Sequence, residues 1–266
     1  MPYQPSDHTF ALCAYRESPY LEECIRSLEA QTVRTNILIA TSTPSDFINR
    51  IAEAHHIPVF VNPEAGKGIG ADWNFALSRT ETPLVTIAHQ DDIYEPAYAE
   101  TMLSELGKAK APIIWFCDYQ ELRGERKDRD IRNLKIKRAM LLPLQRRIFR
   151  GSKFVRRRIL SLGSPICCPA VTYVRRAGEA LTFSREMKVS LDWDQWEKLS
   201  RRKGSFVYCP EPLMCHRVHE GSATTALIAD STRAKEDMEM FRRFWPKGVA
   251  GWLAKKYAAS EKSNNL

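Results

Sequence analysis

The sequence predicts an α/β fold, a mostly parallel central sheet with helices on both faces. Short apolar runs recur along the first 118 residues, and amphipathic stretches of helical period lie between them. Strands covered on both faces read as such continuous apolar runs. Nothing in the chain approaches the roughly 18 apolar residues of a membrane-spanning helix.

Phe10-Ala11-Leu12-Cys13-Ala14 suits a buried strand. Ser18 and Pro19 then open a helix, Ser as N-cap and Pro in the first turn, with Glu22 and Glu23 near its positive end. Leu21, Cys24, Ile25 and Leu28 recur at i, i+3, i+4 and i+7 and define its buried side. A strand over 36–40, a helix over 47–54 and a strand over 58–61 follow. A helix over 72–78 leads to a strand over 84–88. Pro96 opens a helix with Ala99, Met102, Leu103 and Leu106 on one face, and a strand over 113–117 completes this half. In open α/β sheets ligands collect at the carboxyl ends of strands. That rule points to Ala14-Tyr15, Thr41-Ser42 and residues 89–92.

Residues 119–163 read as a basic helical insert. Leu141, Leu142, Leu144, Ile148 and Phe149 among arginines predict one or two helices with a single apolar side. Residues 164–225 return to globular patterning, with a helix over 192–203 and a strand over 206–208. Residues 226–266 form a helical tail, with a helix over 238–245 and then Val249, Trp252, Leu253 and Tyr257 among lysines.

The formal net charge of +8 is unevenly placed. Residues 123–158 hold 15 Lys and Arg against 3 Asp and Glu, so the rest of the chain is mildly acidic. This is a local basic surface suited to anionic lipid, phosphate or nucleic acid. No zinc spacing, RNA-recognition aromatics or helix-turn-helix pattern supports a nucleic-acid partner. An anionic membrane surface explains the cluster as well as a solvated basic face does. Residues 1–7 lack a secretory pattern, and the seven cysteines are odd in number and irregularly spaced. The expected location is therefore cytoplasmic, and the basic cluster suits peripheral attachment at the inner face of the cell membrane.

Three segments carry chemistry. In Leu84-Val85-Thr86-Ile87-Ala88-His89-Gln90-Asp91-Asp92, two carboxylates follow at once on a strand end, where oxygen ligands suit a divalent cation bridging phosphates. The same pair could simply start a turn. Cys215-His216-Arg217-Val218-His219-Glu220-Gly221-Ser222 places Arg217 two residues from His219 in a polar loop, one facing phosphate and the other metal. Ser190-Leu191-Asp192-Trp193 sets Asp192 at a helix start beside apolar neighbours, as an N-cap or as a base with raised pKa.

The order of these segments over residues 8–225 resembles the family 2 glycosyltransferases with the GT-A fold. Ala14-Tyr15-Arg16-Glu17-Ser18-Pro19 resembles that family's opening strand and turn. Asn62 and Gly66-Lys67-Gly68-Ile69-Gly70-Ala71-Asp72-Trp73-Asn74 resemble its glycine-rich turn and following helix. His89-Gln90-Asp91-Asp92 stands where the family has its DxD motif, Leu191-Asp192 matches the pair holding its catalytic base, and Arg217-Val218-His219 resembles its late phosphate and metal loop.

The resemblance implies a metal-dependent inverting transferase that moves a sugar from a nucleoside-diphosphate sugar to an acceptor hydroxyl. Asp192 would be the catalytic base. Ala14, Tyr15, Glu17, Thr41, Ser42, Lys67, Gly68, Asn74, His89, Gln90 and Arg217 would line the donor site. Asp91 and His219, with Asp92 beside them, would hold Mn²⁺ or Mg²⁺. The acceptor would be a carbohydrate or lipid-linked molecule, in cell-surface polysaccharide or glycolipid assembly. Three departures stand out: His89 replaces the first acid of DxD, Thr41-Ser42 replace an acidic pair that reads the base, and Leu191 replaces the usual Glu. A nucleotide-sugar-binding relative without catalysis is the alternative.

Overall fold

The computed structural model describes residues 3–176, 181–219 and 232–262. The strands are β1 His8–Ala14, β2 Asn36–Thr41, β3 Val59–Val61, β4 Leu84–His89, β5 Ile93–Tyr94, β6 Pro112–Arg123, β7 Arg126–Asp128, β8 Val171–Val174 and β9 Ser205–Arg217. The helices are α1 Leu21–Glu29, α2 Asp46–Ala54, α3 Ile69–Ser78, α4 Tyr98–Gly107, α5 Arg132–Gln145, α6 Arg147–Arg150, α7 Lys153–Leu160, α8 Leu191–Ser200, α9 Thr232–Arg242 and α10 Lys247–Lys262. The strands form one mixed sheet in the order β3-β2-β1-β4-β8-β6-β9-β5, with β7 paired to β6. The parallel half, β3-β2-β1-β4, is the alternating strand–helix region expected from the apolar runs.

Alternate residues along the strands face opposite sides, so the sheet has a core on each face. Phe10, Leu12 and Ile39 pack with Leu21, Ile25, Ile48 and Met102 of α1, α2 and α4. Ala11, Leu38 and Val85 pack with Trp73, Leu141, Trp193, Phe241 and Ala250 on the other face. The C-terminal helices α9 and α10 thus share the main core.

Several elements depart from expectation for physical reasons. Strands β6 and β9 run well past the apolar stretches 113–117 and 206–208, because their pairing continues from Tyr119↔Met214 to Leu122↔Arg217, where β5 and β7 join them as short outer strands. A ribbon of this kind tolerates polar residues, which hide it from a search for apolar runs. The insert therefore begins as a hairpin, turning at Gly124 with φ +58°, before its helices start. Within the insert the apolar side is Leu134, Leu141, Leu144, Ile159 and Leu160, while Leu142 and Ile148 are 55% and 79% exposed. Pro143 lies in the last turn of α5 and the chain breaks there, so the expected single stripe is interrupted. Part of the basic charge is also internal. Buried Arg156 donates to the carbonyls of Ser200, Arg202 and Gly204, Arg129 pairs with Asp118, and Arg157 pairs with Glu197.

His8 begins β1 as a fully buried, neutral imidazole between Thr35 Oγ1 at 3.0 Å and Thr86 Oγ1 at 2.9 Å. Burial pushes its pKa from 6.5 down to about 3. The unfolded chain takes up this proton from pH 6.5 downward and the folded chain does not. The stabilisation is therefore complete above pH 6.5 and is lost as pH falls toward 3. Thermal denaturation should show stability declining below pH 6.5 with a slope approaching ~1.4 kcal/mol per pH unit from this group. His8→Gln should flatten that decline, and an unchanged pH dependence would contradict it.

Candidate active site

The site forms because β4 is followed by a tight turn and then by the two-residue strand β5. Ile93 and Tyr94 pair antiparallel with Cys215 and Met214 of β9. This lays Gln90-Asp91-Asp92 against the residues that follow β9. Asp92 is buried, and its Oδ1 accepts the backbone N–H of Arg217 at 2.9 Å. The Arg217 guanidinium donates to the Asp91 carbonyl at 2.9 Å, pairs with Glu23 Oε2 at 2.5 Å, and lies 4.3 Å from the Tyr20 ring centroid. Asp91 Oδ1 accepts from the Ser18 hydroxyl at 2.7 Å, and its Oδ2 lies 3.2 Å from His219 Nε2. Asp91 and His219, distant in sequence, therefore meet. Ser18, expected to be the N-cap of the first helix, donates to this carboxylate while its Oγ accepts the Tyr20 N–H at 3.3 Å, and α1 starts at Leu21 with Tyr20 as its N-cap.

Parallel pairing sets Cys13 beside His89 and Ala14 beside Thr41, so the ends of β1, β2 and β4 meet here. Gln90 uses both ends of its amide on Tyr15, accepting the Tyr15 N–H and donating to its carbonyl, each at 2.9 Å. The Tyr15 backbone, expected to face a nucleobase, is thus held by Gln90, and its ring is half exposed. Thr41 Oγ1 accepts the Thr43 N–H at 3.0 Å. Ser42 donates to Asp72 Oδ2 at 3.1 Å, whose Oδ1 accepts from Asn62 at 2.9 Å. Glu17 is exposed on the loop after β1. Lys67 is exposed and pairs with Glu64 at 2.8 Å, and Gly68, with φ +90°, precedes α3. Asn74 binds the backbone of Phe183 through both its amide groups, which makes it a tether for the segment around residue 183.

His89 stacks on Trp73 with centroids 5.4 Å apart, and burial lowers its pKa to about 4. Its buried Nε2 has no hydrogen-bond partner among the described residues. Burial raises Asp92 to about 8, despite its bond from the Arg217 N–H, so its carboxyl is largely neutral at pH 7.

Asp192 lies in the first turn of α8, with Oδ1 accepting its neighbour Trp193 N–H at 2.7 Å and Oδ2 facing Ser164 Oγ at 3.4 Å. Desolvation raises its pKa above the usual carboxylate range. Asp194, two residues on, is locked between Lys198 and Arg243, each at 2.6 Å. The Cys167 thiol feels both Asp92 and Asp192, so the loop before β8 lies between the two carboxylates. The sequence reading missed Glu236 of α9, whose carboxylate accepts the N–H groups of Lys188, Val189 and Ser190 at 2.7–2.9 Å. Glu236 and Asp237, which accepts from Ser190 Oγ, hold the turn that delivers Asp192.

The donor set at Asp91 and His219, one carboxylate oxygen and one imidazole nitrogen, fits a borderline divalent cation such as Mn²⁺. Among the described residues no group of three His, Cys, Asp or Glu side chains could hold a metal. A cation here would take its other ligands from phosphate oxygens and water, as Mg²⁺-like ions commonly do. The late-loop residues Glu220 and Ser222 lie outside the described residues.

The glycosyl transferase family 2 model matches residues 9–179. The chain belongs to glycosyl transferase family 2. Solved structures agree on the GT-A fold of this family 2 glycosyltransferase. A mannosyltransferase from Pyrobaculum calidifontis with GDP-Man and Mn²⁺ matches with TM-score 0.65 and 16% identity, over 98% of this chain and 75% of that one. S. aureus TarS 1-349 with UDP-GlcNAc matches with TM-score 0.64 and 12% identity, over 94% and 71%. Glucosyl-3-phosphoglycerate synthase from Mycobacterium tuberculosis with Mn²⁺ and UDP-Glc matches with TM-score 0.57 and 16% identity, over 90% and 79%. Against the longer TarS chain this family 2 glycosyltransferase spans 42% of the length. No curated protein matches it. No helix among the described residues is long and apolar enough to cross a membrane.

The burial of Asp92 separates its role from that of Asp91. Asp92→Asn should preserve the bond from the Arg217 N–H and leave Mn²⁺ affinity within about twofold, whereas Asp92→Ala should cost ~1–3 kcal/mol by orphaning that amide. Because the folded carboxyl titrates near 8 and the unfolded one near 3.8, wild type loses stability from this group as pH rises between those values. The Asn variant should not. Denaturant melts at pH 5 and 8 with Mn²⁺ titrations test both points, and a tenfold loss of Mn²⁺ affinity in Asp92→Asn would make Asp92 a ligand.

Proposed function

We propose that this family 2 glycosyltransferase catalyses inverting transfer of a sugar from a nucleoside-diphosphate sugar to an acceptor hydroxyl. The observation that carries the reading is the meeting of Asp91 and His219 at 3.2 Å; a desolvated Asp192, felt with Asp92 by the Cys167 thiol, accompanies it. Asp91 and His219 would hold Mn²⁺ or Mg²⁺, which when bound neutralises charge on the leaving diphosphate. Asp192 accepts the proton of the acceptor hydroxyl as that oxygen bonds to the anomeric carbon. The bond from that carbon to the phosphate oxygen breaks on the opposite face, and its electron pair leaves with the nucleoside diphosphate. Desolvation suits Asp192 to this task by strengthening it as a base. His89, neutral and stacked on Trp73, would turn to the donor an Nε2 that has no hydrogen-bond partner among the described residues. Lys67 can leave Glu64 for phosphate. Arg217, already engaged, acts chiefly by fixing the Asp91 turn. The ligands in the similar structures, GDP-Man, UDP-GlcNAc and UDP-Glc, support a nucleotide sugar as donor class.

A screen of nucleotide sugars with Mn²⁺, read by nucleoside-diphosphate release and by mass of the product, tests the reading. Asp192→Asn should lower turnover ~10²–10⁴-fold with donor affinity nearly unchanged. Asp91→Ala should lose both Mn²⁺ response and turnover. Saturable donor binding with neither hydrolysis nor transfer from any donor would instead mark a binding protein. Undiminished activity in excess chelator would remove the metal from the scheme.

We further propose attachment to an anionic membrane surface, as expected of an enzyme acting on lipid-linked or cell-surface glycans. The support is a set of exposed apolar side chains, Leu142, Ile148 and Phe154, interspersed with Arg146, Arg147, Arg150 and Lys153 in the insert. Sedimentation with liposomes should show binding to phosphatidylglycerol vesicles that weakens at high salt. Equal binding to neutral and anionic vesicles, or none, contradicts the attachment.

A further inference from the structure

Lys137 of α5 reaches back from the basic insert to the carboxyl end of the sheet. Its ammonium donates to the Tyr119 hydroxyl at 2.9 Å and lies 5.5 Å from the centre of that ring. Tyr119 belongs to the outer part of β6, and its ring stands edge-on to His216 of β9 with centroids 6.2 Å apart. The ammonium is within electrostatic reach of Asp192, His216 and Cys167. It therefore belongs to the same end of the molecule as the proposed base.

The hydrogen-bonding capacity of this group is largely unspent. Among the described residues Lys137 forms no ion pair and makes one hydrogen bond, which leaves two of its three donors over. Among the described residues the Tyr119 hydroxyl receives that bond and finds no acceptor for its own proton. Among the same residues the half-buried His216 ring meets the Tyr119 ring and forms no hydrogen bond. Nearby carboxylates are committed elsewhere: Glu121 to Arg123 at 3.0 Å and Asp91 to Ser18 and His219. Asp192 is within electrostatic reach but forms no ion pair with it, and a half-buried ammonium left in this way is costly unless a ligand supplies a closer counter-charge.

We propose that Lys137, Tyr119 and His216 form an anion subsite for the acceptor, and that the acceptor carries a phosphate group near the hydroxyl that is glycosylated. This rests on the glycosyl-transfer reading above and names its acceptor class. Lys137 supplies the positive charge, while the phenol and the imidazole N–H supply directed donors. Phosphate on a soluble sugar or polyol and phosphate in a lipid headgroup share this chemistry.

Matched acceptors test it: glucose against glucose 6-phosphate and glycerol against glycerol 1-phosphate for soluble sources, and diacylglycerol against phosphatidylglycerol in micelles for the lipid source. Wild type should favour the phosphorylated member of at least one pair. Lys137→Met, which keeps the apolar stem, should raise the KM for that acceptor at least tenfold, with donor affinity changed less than twofold. Lys137→Arg should restore part of the loss. A second arm needs no turnover: inorganic phosphate should shift the His216 imidazole resonances of wild type and not those of Lys137→Met. If phosphate moves His216 but no donor is ever consumed, the anion subsite stands and glycosyl transfer fails. If donors are consumed while phosphate leaves His216 unmoved, or Lys137→Met binds phosphate as wild type does, the subsite is overturned. Equal use of neutral and phosphorylated acceptors overturns it as well.

Discussion

The antiparallel pairing of β5 with the far end of β9 is the constraint on which the rest of the site depends. Two residues of strand, Ile93 and Tyr94, hold the turn after β4 beside the chain leaving β9. The buried bond from the Arg217 N–H to Asp92 then locks the register. Without it Asp91 and His219 would sit on separate loops, and the ordering of Ser18, Glu23 and Tyr20 around them would have no centre. The chemistry of the site follows from this crossing of two distant segments. It draws little from any one motif taken alone.

The second constraint is burial at the sheet's carboxyl edge. The same desolvation keeps His89 neutral, keeps the Asp92 carboxyl largely protonated and raises Asp192, the base proposed above, beyond the usual carboxylate range. Two adjacent aspartates thus diverge, one facing a histidine and one folded inward, as two carboxylates do when their surroundings differ.

The parallel half of the sheet was legible because its signals are local. Apolar runs mark buried strands, and the spacing of Leu21, Cys24, Ile25 and Leu28 marks a helix face. The outer reaches of β6 and β9 were not legible, since their polar residues are stabilised by pairing with each other across more than 80 positions of sequence. The family could be named from motif order, and the same order picked out Asp91 and His219, which the fold brings to 3.2 Å of each other. The divergent fate of Asp92 could not, because it turns on a single backbone N–H that only the assembled fold brings near. Gln90 and Asn74 were singled out for a ligand, yet their amides bind backbone. An amide side chain reads the same in sequence whether its partner is a sugar or a peptide group. Lys137 was one basic residue among 15 in its segment, and nothing local distinguishes it from its solvated neighbours.

The grip of Glu236 on three consecutive amides has an evolutionary reading. The carboxylate that shapes the approach to α8 is supplied from a helix beyond residues 9–179, the span the family model matches. A lineage that exchanged its C-terminal helices to suit a new surface or partner would at the same time re-aim the turn bearing Asp192. In this architecture, change at the periphery and the placement of the carboxylate proposed as base are mechanically joined.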